Sequence, residues 1–343
     1  MADDVIRGKR RVTQADVAHR AKVSQALVSY VVNNSQRVSI PLATRQRIEV
    51  AMQELGYVPN ITARRLRTNK TLTVAGIIPD ITNPFYPAFE RGIQDMLDQN
   101  GYDLVMYNTD GDRNKEQRYV DSMLQGRVDG VVGVFFHLNA KDLLPLIEQN
   151  IYVTRLEAVD KAAGSLGLDN ICIDNVAASR LAVNFLIDKG HTRIGMLSST
   201  EGPARFREEG YQGAMLTASL RLEPNLIATG AYNEKGGYQA MQRLLALDEA
   251  PTAIFAANDL MAMGAMVAIR EAGLTIPDDM AIVGFDDIAS ARLISPSLTT
   301  IRQFQHRMGQ RAAEMLLERI RGQAGPSGRS ESMQYELVIR ESA

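Results

Sequence analysis

"VTQADVAHRAKVSQALVSYVVNN", residues 12–34, holds two short helical faces and a single acid. Thr13 and Asp16 are spaced as a capping box: the hydroxyl can accept from the backbone N–H three residues on, while the carboxylate reaches back to the N–H of the cap. A helix therefore starts there, with Val17, Ala18 and Ala21 as its small apolar face. A turn at "KVS" interrupts it, and Ser24 caps a second helix running from Gln25 to about Val32. Leu27, Val28 and Val31 share the inward face of that helix by i, i+3 and i+4 spacing, which leaves Gln25, Ala26, Ser29 and Tyr30 pointing elsewhere. Two short helices joined by a tight turn make a helix-turn-helix, and the outward residues of the second are its candidate base readers. A helical hairpin buried in an ordinary core is the bland alternative, poorly served by helices this short and this lacking in large apolar side chains.

Charge points the same way. Residues 1–70 carry 13 Lys and Arg against 5 Asp and Glu, a balance of +8 that leaves −10 for residues 71–343, given −2 for the whole chain. A basic head on an acidic body is the electrostatic footprint of a polyanion binder. A third helix, "LATRQRIEVAMQELG", completes the head, with Ile48, Ala51, Met52 and Leu55 as its buried stripe and Gly56 as its stop.

Composition bounds the rest. With 343 residues and 45% apolar content the chain can build two or three domains with real cores, and its 23% charged fraction is that of a globular protein. The longest apolar stretches, such as "GVVGVFF" at 130–136, fall well short of the ~20 residues of a membrane span. "MADDVIRGKRR" has no apolar segment after its charges, so nothing marks the chain for secretion and a cytoplasmic location is expected. Cys172 is the sole cysteine, which rules out an internal disulfide or a cysteine-based metal cluster and reads as an inert, partly buried thiol.

After "YVPN" comes "ITARRLRTNK", ten residues with four positive charges and one leucine, which alone could be a plain linker because so short a helix is marginal in water. Together, "VTQADVAHRAKVSQALVSYVVNN" and "ELGYVPNITARRL" resemble the DNA-binding head and hinge helix of the lactose/galactose repressor (LacI) family, and the similarity runs from Val12 to "YELVIRES". The resemblance implies that the second helix lies in the major groove, with Gln25, Ala26 and Tyr30 at the base-choosing positions. Thr13, Ser24, Ser29 and Asn33 would sit at the DNA backbone. Gln25 can pair with adenine through its amide, and Ala26 offers apolar contact such as a thymine methyl takes. In the hinge, Asn60 would cap a helix that forms only on DNA. Leu66 would wedge between bases of the minor groove, and Ala63, Arg64 and Arg67 would contact the duplex beside it. Such a hinge implies a homodimer on a palindromic operator. Three departures from the family pattern stand out: Tyr30 where a basic residue is frequent, Lys22 in a turn where Gly or Asn is common, and a "SIPLATR" link about two residues long in excess.

From Thr71 the texture changes. "LTVAGIIP", "YDLVMYN", "DGVVGVFF", "IYVTRLE", "TRIGMLSS", "TAIFAAN" and "MAIVGFDD" are β-rich runs, each followed by a helical pattern, which indicates parallel sheets covered by helices. The spacing predicts two lobes that change over near Asp160 to Asn175, with "SLTTIRQF" as the return crossing. No GxGxxG follows the first strand and no P-loop is present, so a nucleotide-cofactor reading lacks its phosphate cradle. Ligands of open α/β sheets sit beyond the carboxyl ends of the strands. Residues at those ends are Asp80, Asn83, Phe85, Tyr86, Glu157, Asn258, Asp259, Asp286 and Asp287, a mixture that suits a polyhydroxylated molecule, although strand-end Asp and Asn also cap the next helix.

The family resemblance sharpens this set. "NPFYPAFERGI" is similar to its first pocket segment, Arg207 in "PARFREEGYQGAM" matches the effector-binding arginine, and Tyr232 matches an aromatic wall. "AANDLMAMGAM" and "VGFDD" bring Asn258 and Asp286. Arg155 beside Glu157 suits either a ligand with some acidic character or a salt bridge to a neighbour. No HExxH or GxSxG pattern and no evident histidine–nucleophile pair occurs, so neither catalytic residues, a metal nor a cofactor is expected. A helix-turn-helix head fused to a sugar-metabolising enzyme is the alternative.

The expectation is thus an all-α helix-turn-helix headpiece over 1–58, a hinge over 59–70 and an α/β body over 71–343. That body would comprise two doubly wound parallel-sheet lobes like those of periplasmic sugar-binding proteins. Lobe one would take about 71–170 and 299–325, lobe two about 171–298 and 326–343. The expected function is a ligand-controlled transcription regulator, most simply a repressor, that binds double-stranded DNA and a sugar or sugar derivative.

Overall fold

The structure is a computed structural model that describes residues 12–32, 38–58, 70–158 and 166–343. The chain divides into two compact units, Met1–Lys70 and Thr71–Ala343. In the first unit, α1 (Gln14–Ala21), α2 (Gln25–Val32) and α3 (Leu42–Leu55) pack on a core of Val17, Ala18, Ala21, Val28, Val31, Ile48, Ala51 and Tyr57. The expected stripe of α3 is split: Ile48 and Ala51 are buried, while Met52 and Leu55 are half-buried at its margin. Gly56, at φ +60°, ends that helix in the left-handed conformation glycine tolerates.

The second unit opens with β1 (Thr73–Ile78), α4 (Phe85–Gln99), β2 (Asp103–Asn108), α5 (Arg113–Met123), β3 (Gly130–Gly133), α6 (Leu144–Glu148), β4 (Tyr152–Glu157) and β5 (Leu168–Cys172). The chain then crosses to a second lobe of α7 (Asn175–Asp188), β6 (Ile194–Ser198), α8 (Ala204–Thr217), β7 (Ile227–Thr229), α9 (Glu234–Leu245), β8 (Ala253–Ala256), α10 (Asp259–Glu271), β9 (Ala281–Asp286) and β10 (Thr299–Arg302). It returns through α11 (Gln305–Ile320) and β11 (Ser330–Ser332), and crosses again to β12 (Glu336–Val338). The two sheets have the matching orders β11-β5-β4-β3-β1-β2 and β12-β10-β9-β8-β6-β7. Every pairing is parallel except β10 with β12.

Successive residues of a strand face opposite sides, and both sides are covered here. Along β1, Val74 and Ile78 enter one apolar cluster while Ala75 and Ile77 enter another, formed with Val120, Met123 and Leu146 of the overlying helices. All six residues of β1 are buried, whereas β2 at the sheet edge has none fully buried. The seven β-rich runs quoted from the sequence coincide with β1, β2, β3, β4, β6, β8 and β9, and the chain does return at "SLTTIRQF".

Two details of the lobe assignment change. Thr299–Arg302 pairs with β9 and so belongs to the second lobe, and Ser330–Ser332 pairs with β5 and so belongs to the first. The sequence places each in the other lobe, because a strand of three or four mostly polar residues beside a crossing carries no mark of which sheet it joins. The returning segment is fastened by Asp169 of β5, which is fully buried and accepts from Arg319 (Nε 3.0 Å) and Arg329 (Nη2 2.8 Å, backbone N 2.9 Å). Burial pushes that carboxyl's pKa up, but hydrogen bonds from the two guanidinium groups hold it below the ordinary carboxylate value. Among the described residues no helix is long and apolar enough to cross a membrane.

Candidate functional site

The head presents the outward face of α2. Ser24, Gln25 and Ala26 are exposed, Ser29 and Tyr30 are half-buried, and Val28 and Val31 are turned into the core. Thr13 completes the capping box: its Oγ1 accepts from the Asp16 N–H at 3.3 Å, and its own N–H donates to Asp16 Oδ2 at 2.8 Å. Ser24 Oγ accepts from the Leu27 N–H at 3.3 Å, which starts α2 where the sequence placed it. Lys22 sits between the helices at φ +52°, a conformation that favours Gly or Asn and explains why those residues are usual in this turn. Asn33, Asn60, Ala63, Arg64, Leu66 and Arg67 lie outside the described residues. Thr13→Ala removes an N-cap worth about 1 kcal/mol, so amide exchange within α1 is expected to quicken by about fivefold in the intact chain; unchanged exchange would remove the cap's energetic role.

In the second unit the strand ends of the two lobes face each other across a cleft. A central cavity of about 290 Å³ is lined by Asn83, Phe85, Tyr86, Glu157, Arg207, Tyr232, Asn258 and Asp286. Eight of the nine effector candidates thus meet in one place. Asp80 does not: it lines a second compartment of about 430 Å³, and its Oδ1 accepts from the Thr82 N–H (2.8 Å) and hydroxyl (2.6 Å).

Arg207, buried on the first turns of α8, is the hub. Its Nε donates to Asn175 Oδ1 at 2.9 Å, Nη1 donates to the Ala257 carbonyl and lies 3.7 Å from Asp286 Oδ1, and its guanidinium stacks 3.7 Å over the Phe285 ring. Asp286 is also held by Gln303 Nε2 at 2.5 Å. Burial pushes the Asp286 carboxyl up to about 7, outweighing the opposing pull of Arg207 and Gln303. Burial likewise pushes the Tyr86 and Tyr232 phenols well above their ordinary value, so both are neutral donors at physiological pH. The Tyr232 hydroxyl is buried with no hydrogen-bond partner, a group whose desolvation is offset only when something in the cleft bonds to it.

Several polar residues serve the scaffold as well as the wall. Asn258 caps α10, its Oδ1 accepting from the Met261 N–H at 2.9 Å, and Asn83 accepts from the Phe85 N–H at 3.1 Å. Arg155 bonds Glu157 Oε1 at 2.9 Å and Asn170 Oδ1 at 2.9 and 3.2 Å, so the salt bridge of its two sequence readings is present, and Arg155 also lines the cavity. Phe136, Phe206, His137, Asn175 and Gln303 also line the cavity and were missed. Phe136 was absorbed into a strand that ends at Gly133, so the strand-end rule, applied three residues earlier, would have found it.

A raised carboxyl pKa fixes the sign of a pH effect. Asp286 favours the folded state in its protonated form, so its contribution is full below about pH 4 and is lost as pH rises through 7. The melting temperature of Asp286→Asn, measured against the natural chain without ligand, is therefore expected to gain steadily on it between pH 5 and pH 8. A constant difference would refute the shift.

Residues 13–60 match the family of bacterial regulatory proteins described as the lacI family, and residues 183–343 match a periplasmic binding protein-like domain. Over 337 residues the chain is 34% identical to the HTH-type transcriptional repressor CytR of Escherichia coli K12, covering 96% of this chain and 95% of that one. Over 333 residues it is 35% identical to the ribose operon repressor of the same organism, covering 96% and 98%. It aligns with the crystal structure of the lac repressor dimer bound to operator and the anti-inducer ONPF at a TM-score of 0.85 and 29% identity, covering 97% and 99% of the two chains.

Proposed function

The chain belongs to the LacI family of bacterial regulatory proteins, and from that premise we propose how its residues divide the work. It is a DNA-binding transcriptional repressor with a periplasmic-binding-protein-like effector core. The relatives it matches along nearly their whole length are repressors, not enzymes, which sets aside the fused sugar-metabolising enzyme.

In our reading the protein acts as a homodimer on a palindromic operator, each head laying α2 in the major groove. Gln25, Ala26 and Tyr30 choose bases; Thr13, Ser24, Ser29 and Asn33 hold the backbone; Asn60, Ala63, Arg64, Leu66 and Arg67 act in the minor groove. The effector is a neutral, polyhydroxylated molecule, a sugar or sugar derivative, held by Asn83, Phe85, Tyr86, Glu157, Arg207, Tyr232, Asn258 and Asp286. Asp80 is at most an outer contact. The observation that carries this is the central cavity itself: aromatic walls, neutral phenols, an unpartnered hydroxyl, and two arginines already engaged by scaffold acceptors, Arg155 by Glu157 and Arg207 by Asn175 and the Ala257 carbonyl. Such a lining supports hydroxyl groups and a stacked ring face. Binding there shifts the equilibrium between open and closed lobes, and the hinge carries that shift to the heads.

The test is a melting-temperature screen against sugars, sugar acids and nucleosides, followed by retardation of inverted-repeat DNA with and without the hits. A true ligand at 100 times its Kd adds about 2.7 kcal/mol. A hit confined to strongly anionic compounds, or a head with no preference for inverted repeats, would contradict the assignment.

A further inference from the structure

Glu116 lies in α5, fully buried, and lines neither compartment of the cleft. Its carboxylate accepts three consecutive backbone N–H groups: Phe136 at 2.8 Å, His137 at 3.2 Å and Leu138 at 2.9 Å. Two further bonds tie the same loop to the start of α5. Arg113 Nη1 donates to the His137 carbonyl at 3.1 Å, and His137 Nε2 lies 2.7 Å from the Gly111 carbonyl. A loop directly beyond a sheet is thus held by a charged group whose bonds are about twice as strong as those between neutral partners.

What the loop holds is Phe136. It borders both the central cavity and the outer compartment, a position shared among the described residues only with Asn83, Tyr86 and Tyr232, so it stands in the partition between them. The ring also reaches the other lobe. A methyl group placed on Gly202, which has φ +55°, would come within 2.8 Å of ring atom Cε1 and 2.9 Å of Cζ. Only a glycine leaves room for that seat.

We infer that Glu116 is a positioning residue for the cleft: through the amides of Phe136, His137 and Leu138 it fixes Phe136 as a partition, seated on Gly202 of the opposite lobe. The inference deepens the effector reading, because the partition separates the central compartment, about 290 Å³, from the outer one. A ligand long enough to occupy both would have to displace Phe136. The seat also couples the loop to the angle between the lobes, since the ring leaves Gly202 when they part.

The chain has no tryptophan, so Phe136→Trp gives a lone indole at the partition. In the full-length chain without ligand, that indole is expected to emit in the blue and resist acrylamide. Adding Glu116→Gln, which sets an amide NH2 against the backbone donors, is expected to shift the emission red and raise quenching. In Glu116→Gln alone, amide exchange at residues 136–138 should quicken by about tenfold or more, with exchange in the second lobe unchanged. Glu116→Asp, which keeps the charge on a shorter arm, should fall between. Adding Gly202→Ala to the indole chain should expose the fluorophore while leaving exchange at 136–138 slow, which separates the seat from the brace. Unchanged exchange in Glu116→Gln, or an indole equally shielded in every variant, would overturn the proposal. Because no ligand enters, failure here is distinct from failure of the effector assignment.

Discussion

Arg207→Ala is expected to abolish the effector response while leaving the affinity of the unliganded protein for its operator within about twofold. The guanidinium is the convergence point of the central cavity, contacting Asn175, the Ala257 carbonyl, Asp286 and the face of Phe285 at once. Truncation leaves a buried carboxyl with its arginine partner removed and an asparagine oxygen unanswered, and in the proposed effector reading it removes a donor to the ligand. A hydrogen bond to a charged group contributes about 1.5–3 kcal/mol, so loss of even one weakens the ligand by roughly 10- to 150-fold. Arg207 belongs to the compact unit of residues 71–343, not to the head, so DNA contacts are untouched. The measurement is a titration of an operator complex with the effector identified by the melting screen, run beside one without effector. A response kept at the natural concentration would move the pocket away from Arg207.

Leu66→Ala is expected to weaken binding to the inverted-repeat operator by at least about tenfold while changing binding to random-sequence DNA by less than about twofold. The asymmetry is the content of the prediction. Random DNA is held by phosphate neutralisation, which in the proposed reading falls to Arg64, Arg67 and the basic face of the head, not to an apolar side chain. The operator complex gains from a bend that a wedge sustains, at an unstacking cost of a few kcal/mol that alanine is too small to impose. Parallel titrations on the two DNAs at one salt concentration decide it, and equal losses on both would remove Leu66 from the minor groove.

Local chemistry made the head and the seven main strands legible. Thr13 and Asp16, Ser24 and Gly56 each stand where the backbone needs a cap or a stop, and the capping bonds form within three or four residues. β5 was not legible, and the reason is physical. Asp169 and Asn170 interrupt its apolar run, and their partners, Arg319, Arg329 and Arg155, lie far off in the sequence or belong to another strand. The wall contributed by Asn175 and Gln303 was hidden for the same reason: both stand at crossings whose position only the assembled sheets define. Arg155 shows the same limit from the other side: its partners Glu157 and Asn170 are set by strand pairing, and it lines the cavity as well.

The first lobe is discontinuous: its strands β1 to β5 end at Cys172, but α11, which packs along α4, and β11, which completes the sheet, arrive only with residues 305–332. During synthesis at about 5–20 residues per second, the nascent sheet waits on the order of ten seconds, half-clad, for its last helix to leave the ribosome. The second lobe, whose main strands emerge in that interval, can form before the first is finished. Ribosome stalling near codon 300 would therefore release a chain with one lobe nearly whole and the other sticky, a natural client for chaperones and proteases.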